Sequence, residues 1–379
     1  MPFLSLLGLG DSNVTDAVVQ KAYKTALRKN PSNVEALRHA AAVLKGGAFS
    51  SVPAASPALP ALSLSLHTFK IETECATARA SCPAYGSASA QGRRSTMEDA
   101  VLCAAPIDNA HIFAVFDGHG GSRAAKLLAR QLPSALQKEH AERGGGDEAM
   151  ILGEDAARSA FTALENRIQA QGWDDGSCAC VALLDVCTRR LQLLQLGDCN
   201  ALLCSRQDGA PPAVLCTAHR PSEPTEAVRL SAMGAPVSAT GRLAGLAVSR
   251  AFGDRDIKEA LPYDVLLVEP EVVMQPLKPE DALLILACDG LWDYLDADAA
   301  TAVVRAALPS LGADDGVGPS PSDLAAVAHA LAEAALNRGS DDNVSVVVVD
   351  VSLPSGQRHS QAHAGYSCSN SCGAATEIT

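Results

Sequence analysis

Aromatic side chains are scarce in this 379-residue chain. Phe, Tyr and Trp make up 4% of it, although 47% of the residues are hydrophobic. Its core must therefore be filled by Ala, Val and Leu rather than by rings. Positive charge is also short: 30 Lys and Arg face 43 Asp and Glu, for a formal net charge of −13. That balance argues against nucleic acid or an anionic membrane as partner, since both are held by a basic face. No apolar run is long enough to span a bilayer. Residues 1–10 have neither a basic start nor a cleavage site, so no secretory signal is expected. The twelve cysteines include no Cys-x-x-Cys pair, and Cys103, Cys180, Cys204 and Cys288 fall inside apolar runs. They read as reduced, buried thiols of an intracellular protein rather than a disulfide framework. The expected location is cytoplasmic, with the nucleus also open.

Residues 1–47 read as a helical hairpin. Val14, Val18, Ala22 and Ala26 share a face, Asn30-Pro31 breaks the helix, and Ser32 with Glu35 forms a capping-box pattern for a second one. The segment resembles a tetratricopeptide repeat, and less well a degenerate J-domain lacking its His-Pro-Asp turn. Residues 48–66, rich in Ala, Ser, Pro and Leu, read as a linker. A globular domain is expected over 67–352. Strand patterns fall at 67–74, 99–105, 111–116, 178–186, 190–197, 199–205, 213–217, 264–268, 283–288 and 344–351, and helical ones at 122–138, 147–171, 223–233, 294–307 and 322–337. Pro133 is expected to end or kink the first helix. Strands joined by short turns, with helices in separate blocks, predict an α+β fold of antiparallel sheets flanked by helices. Residues 353–379 turn polar and irregular, and read as a disordered tail.

The stretch that organises the chain is 113–121, Phe-Ala-Val-Phe-Asp-Gly-His-Gly-Gly. A short apolar run ends on Asp117, and the glycines after it allow a sharp turn and a close approach to the backbone. Alone, this reads equally well as an ordinary strand-to-helix turn with an Asp cap. Other acids occupy similar places. Glu98-Asp99 precede an apolar segment, Asp198 follows Leu-Leu-Gln-Leu-Gly, Asp289 follows Leu-Leu-Ile-Leu-Ala-Cys, and Asp342 opens the last strand. If these acids converge, cations must neutralise them. Carboxylate and carbonyl oxygens suit Mg²⁺ or Mn²⁺, and no His/Cys cluster offers zinc an alternative. Two such ions close together can activate a water and stabilise charge in an in-line displacement at phosphorus. A phosphate ester also needs a cationic fork, which Arg94 or its neighbour Arg93 can supply. His119 is the candidate proton donor to the leaving group.

At this point the chain resembles the PP2C, or PPM, family of metal-dependent protein serine/threonine phosphatases. The likeness covers roughly 67–352 and lies in the order of its motifs. Gly92-x-Arg94-x-x-Met97-Glu98-Asp99 comes first, then Phe116-Asp117-Gly118-His119-Gly120-Gly121, Gly176-Ser177 and Gly197-Asp198. Leu246 to Asp254, Ala287-Cys288-Asp289-Gly290-Leu291-Trp292-Asp293 and Asp342-Asn343-Val344-Ser345 complete the series. The resemblance implies a four-layer α-β-β-α sandwich with two central antiparallel sheets. It implies hydrolysis of phosphoserine and phosphothreonine on proteins by a metal-activated water at a dinuclear Mn²⁺/Mg²⁺ centre. Asp117 would bridge both ions, the Gly118 carbonyl would assist, Asp289 and Asp342 would complete one shell, and Glu98 with Asp99 would serve the other. Asp198 would belong to a third, weaker ion. Arg94, not Arg93, matches the phosphate-binding arginine, and His119 the general acid. Ser249, Arg250 and Asp254 match structural positions. The expected partners are phosphoprotein substrates, with neither nucleic acid nor membrane, and the expected state is a monomer.

Departures from the pattern lie elsewhere. Cys178 stands where Thr is usual, and His219-Arg220-Pro221 replaces His-Lys-Pro. Gly234-Ala235 replaces a double glycine, and Arg242-Leu243-Ala244-Gly245 reaches Leu246 one residue short. These changes border the substrate groove, in the segment called the flap. The competing reading is a weak or inactive scaffold that keeps the fold, with the N-terminal hairpin as docking element. Retention of every expected metal acid argues against it.

Overall fold

A computed structural model describes residues 70–76, 82–143, 151–185, 188–262, 264–312 and 318–352. The expected hairpin (1–47), linker (48–66) and tail (353–379) lie outside the described residues. Within them the strands form two sheets. One runs in the order β1 (Ile71–Ala76), β2 (Tyr85–Ala90), β12 (Val344–Asp350), β11 (Asp281–Ala287), β7 (Asn200–Ser205), β8 (Ala213–Val214). The other runs β10 (Glu271–Pro276), β6 (Arg190–Leu196), β5 (Gly176–Asp185), β4 (Ala110–His119), β3 (Ala100–Ile107), with β9 (Phe252–Gly253) added to β5. All pairings between these strands are antiparallel.

Side-chain alternation sets the layers, because successive residues of a strand point to opposite faces. On β4, Ile112, Ala114 and Phe116 join one apolar cluster, while Phe113 and Val115 join another. The first cluster is covered by α1 (Arg123–Glu142) through Leu128, Leu132 and Leu136, and by α2 (Glu154–Gln169) through Phe161, Leu164 and Ile168. The second lies between the sheets and joins Val115 with Cys180, Leu284, Leu286, Val347 and Val349 in one cluster. The other faces of β11 and β12 present Leu283, Ile285, Val346 and Val348 to α6 (Ala297–Ala307) and α7 (Pro321–Asn337). Helix, sheet, sheet, helix is thus the expected four-layer sandwich. With few rings available, small residues and thiols fill the middle layer, and each Val or Leu buried there contributes roughly 1.5–3 kcal/mol.

Two local expectations differ from the structure, and two strands have no counterpart among the expected ones. Helix α1 runs through Pro133 without ending. Its buried Leu127, Leu128, Leu132, Ala135 and Leu136 lie on both sides of the proline, and that packing outweighs one lost backbone hydrogen bond. Residues 264–268 form no strand but make a single bridge, Arg250 to Leu267, although Val265 and Leu266 are buried. Burial, not pairing, explains that apolar run. Strands β2 and β10 give no sequence signal because Tyr-Gly-Ser-Ala-Ser-Ala and Glu-Val-Val-Met-Gln-Pro show little alternation. Among the described residues, no helix is long and apolar enough to cross a membrane.

Candidate metal centre

Strand register gathers the acids at one rim of the sandwich. Ala100 pairs with Phe116, so Glu98 and Asp99, just before β3, come beside Asp117 near the end of β4. The turn from β6 to β7 carries Asp198. Asn200 and Val346 both pair with Ala287, which brings Asp289 and Asp342 to the same end. Asp117 follows Phe113 and Val115 at even spacing and so faces the gap between the sheets. Asp289 opens the short helix α5 (Asp289–Trp292).

Carboxylate oxygens of Asp117, Asp198 and Asp289 lie within 4.8 Å of one another. Asp342, Glu98 and Asp99 stand outside this trio. The Asp342 Oδ2 accepts from Arg94 Nη2 at 2.5 Å, and its Oδ1 accepts from the Asn343 N–H at 2.7 Å. Glu98 Oε1 accepts from the Thr96 hydroxyl at 2.9 Å. Asp99 is 6% exposed, and its Oδ2 is buried without a hydrogen-bond partner. Gly118 is required where it stands, because a Cβ there would lie 2.3 Å from the Glu98 carbonyl oxygen. Asn343 holds the loop before β3: its Oδ1 accepts from the Glu98 N–H at 2.8 Å, and its Nδ2 donates to the Gln91 and Thr96 carbonyls at 2.8 and 3.0 Å.

The carboxyls perturb one another. Burial pushes Asp289 up to about 7, reinforced by Asp198, Asp342 and Asp293. Burial likewise carries Asp99 to about 7, with Asp342 and Glu98 adding repulsion. Asp117 is likewise raised, by burial first and then by the charges of Asp99, Asp289, Asp198 and Asp342. Acids so arranged cannot all ionise near neutral pH without added positive charge. A hard divalent cation would supply that charge and use the orphaned Asp99 oxygen, so the residues fit the expected Mn²⁺ or Mg²⁺.

His119 sits on β4 two residues past Asp117. Its Nε2 lies 2.8 and 2.9 Å from the two oxygens of Asp254, a nearly buried carboxylate. Burial would lower the imidazole, but the Asp254 hydrogen bond and charge, with Asp198 and Glu98, raise it overall. Gly176 makes room for the pair: a Cβ there would lie 2.3 Å from Asp254 Oδ2 and 2.4 Å from His119 Nε2. Asp254, matched in the sequence only to a structural position, gives no local sign of this partner, which lies 135 residues away. Arg220 likewise gives no local sign of its partners, Asp198 and Asp293. A cavity of about 610 Å³ opens over the cluster, lined by Arg94, His119 and Arg220, and on the flap side by Thr240, Arg242 and Leu246. The flap holds itself by bridges from Leu243 to Val237 and Leu246, with Leu243 fully buried.

An antiparallel double sandwich with an acidic rim beneath an open cleft is the arrangement that defines the class. Residues 84–344 match the model of the family described as "Protein phosphatase 2C". The chain belongs to the protein phosphatase 2C family. It is 35% identical to a probable protein phosphatase 2C 8 of Oryza sativa subsp. japonica, over 71% of this chain and 75% of that protein. It is 36% identical to a probable protein phosphatase 1N of Homo sapiens, over 70% of this chain and 60% of the other. Among solved structures, a phosphatase from Toxoplasma gondii superposes with a TM-score of 0.61 at 24% identity, covering 76% of this chain and 96% of that one. A C. elegans sex determining protein gives 0.58 at 23% identity, covering 92% and 77%. At those identities the structural likeness speaks for the fold alone.

Proposed function

We propose that this protein serine/threonine phosphatase hydrolyses phosphoserine and phosphothreonine on proteins at a centre of two divalent cations, Mn²⁺ or Mg²⁺. The observation that carries the reading is the approach of Asp117, Asp198 and Asp289 to within 4.8 Å, under a cavity lined also by Arg94 and His119. Asp117 with Asp289 and Asp342 would hold one ion, Asp117 with Glu98 and Asp99 the other, and the Gly118 carbonyl would add an oxygen to the centre. When bound, the ions supply an activated water and positive charge for the phosphoryl oxygens.

The chain's own residues do the rest. Arg94, anchored on Asp342, presents a planar fork to two non-bridging phosphate oxygens. His119 gives a proton to the departing serine or threonine oxygen, which a poor leaving group requires. Asp254 fixes the ring through Nε2 and leaves Nδ1 as the nitrogen free to exchange that proton. The domain over 67–352 carries this activity, and the protein acts as a monomer in the cytoplasm or nucleus.

The direct test is hydrolysis of a phosphothreonine peptide by the purified chain with Mn²⁺, with Mg²⁺ and with chelator. Turnover that requires metal, together with its loss in Asp289→Asn, is the expected result. A folded, metal-bound protein without turnover would return weight to the scaffold reading.

A further inference from the structure

Besides Arg94 on Asp342, the rim holds a second guanidinium, that of Arg220. The backbone around it is stitched down. The His219 N–H donates to the Gly197 carbonyl at 2.8 Å, and the Gly197 N–H returns a bond to His219 Nδ1 at 3.2 Å. Both the Ser249 N–H and its hydroxyl donate to the His219 carbonyl, at 2.9 and 3.0 Å. The residue that follows, Arg220, is thereby fixed beside the β6–β7 turn. From there its guanidinium spans two elements. Nε donates to Asp198 Oδ2 at 3.0 Å, and Nη2 donates to Asp293 Oδ1 at 2.8 Å. The same Nη2 lies 3.7 Å from Asp289 Oδ2. The Asp198 side chain is 4% exposed, so its negative charge is almost fully removed from water.

We infer that Arg220 is a built-in counter-cation between Asp198 and Asp293, and that the centre therefore takes two divalent ions and not a third. The inference rests on the reading of the rim as a metal centre. A third ion at Asp198 would have to displace Arg220, whose fork already holds Asp198 Oδ2 and Asp293 Oδ1 together. A guanidinium remains charged at every working pH, and its planar fork can satisfy two carboxylates from different elements at once. A lysine, with a compact charge on a flexible stem, cannot span both in the same way. The His219-Arg220-Pro221 triplet is thus a functional departure from the His-Lys-Pro pattern rather than a neutral one.

The test counts ions bound to the full chain, with Mn²⁺ as probe and electron paramagnetic resonance to read the free metal. The native protein is expected to bind two ions into the millimolar range. Arg220→Met is expected to admit a third, roughly tenfold tighter than any third site in the native chain, since a like charge has left a poorly solvated position. Adding Asp293→Asn to that variant should remove the third ion again. The chelated Arg220→Met protein should melt below the native one, and Mn²⁺ should close the gap, which loss of a merely structural contact would not allow. If the methionine variant does not fold, Arg220→Lys carries the test and should show the third ion more weakly. Three ions on the native chain, or unchanged number and affinity in the folded variants, overturns the inference alone. No Mn²⁺ bound at all overturns the metal-centre reading and this inference with it.

Discussion

Buried carboxylates occur in two regions of this protein, and the two are treated in opposite ways. Under the flap, Glu226 on α3 (Pro224–Ala232) is 1% exposed and accepts from Arg250 Nη2 at 2.6 Å, Arg229 Nη2 at 2.7 Å and the Ser249 hydroxyl at 2.6 Å. Burial alone would push Glu226 up, yet these partners hold it at about 2. At the rim, no basic side chain bonds Asp117 or Asp99 among the described residues, and burial with mutual repulsion drives both upward. Two arginines close on Glu226 alone, whereas at the rim Arg94 and Arg220 reach only Asp342, Asp198 and the edge of Asp289, and Asp117 and Asp99 are left to outside cations. A carboxylate neutralised from within is architecture. A cluster left short of positive charge in a cleft is where chemistry is to be expected.

The largest expected effect breaks the rim. Asp117→Asn should lower kcat on a phosphothreonine peptide by at least about a thousandfold, or about 4 kcal/mol in the barrier. The metal-free protein should melt no lower than the native one, because the substitution relieves repulsion among the buried acids. Turnover within tenfold of native would end the contrast between the two regions. Glu226→Gln should do the reverse. Two partly buried arginines lose their counter-charge, so the chain should lose about 3 kcal/mol of stability in urea unfolding with kcat preserved.

Acid sharpens the same contrast. The native Glu226 titrates near 2, below its ordinary 4.5, so its contribution is full above about 4.5 and is lost as the pH falls toward 2. The difference between 4.5 and 2 corresponds to about 3 kcal/mol, and Glu226→Gln should lose that slope. The rim has the opposite sign. Asp99 and Asp289 are raised to about 7 from 3.8, so the chelated protein should lose stability as the pH rises from about 4 through 7. Saturating Mn²⁺ should abolish that second slope, and urea titrations at stepped pH with and without chelator would read both.

Legibility in the sequence followed locality. Strand ends carrying Asp117, Asp198, Asp289 and Asp342 could be read because each acid interrupts an apolar run, a signal confined to a few residues. The antiparallel α+β architecture followed from short turns between such runs. What stayed hidden depends on distance. Asp254 reaches His119 across 135 residues, and Asn343 reaches Gln91 across 252. Arg220 could be seen as a departure, but not as a bridge, until the β6–β7 turn and α5 were brought together. Pro133 misled for a related reason: its local penalty is real, but the leucines packed on either side outweigh it. Small-residue strands such as β2 escaped because Gly, Ser and Ala carry almost no periodic signal.

Asp254 is a third kind of buried carboxylate, partnered neither by arginine nor by other acids but by the imidazole of His119. It allows the smallest and most specific test of the comparison. His119→Ala should slow cleavage of phosphopeptides by about a hundredfold, within the range for general acid catalysis, and slow aryl phosphates with good leaving groups far less. Asp254→Asn keeps the shape and one acceptor, so it should lose only about tenfold on the peptide, with the same leaving-group bias. An equal loss on good and poor leaving groups in both variants would argue that the pair holds the β4 turn and moves no proton. A bias retained in His119→Ala but absent in Asp254→Asn would separate the proton donor from the carboxylate that orients it.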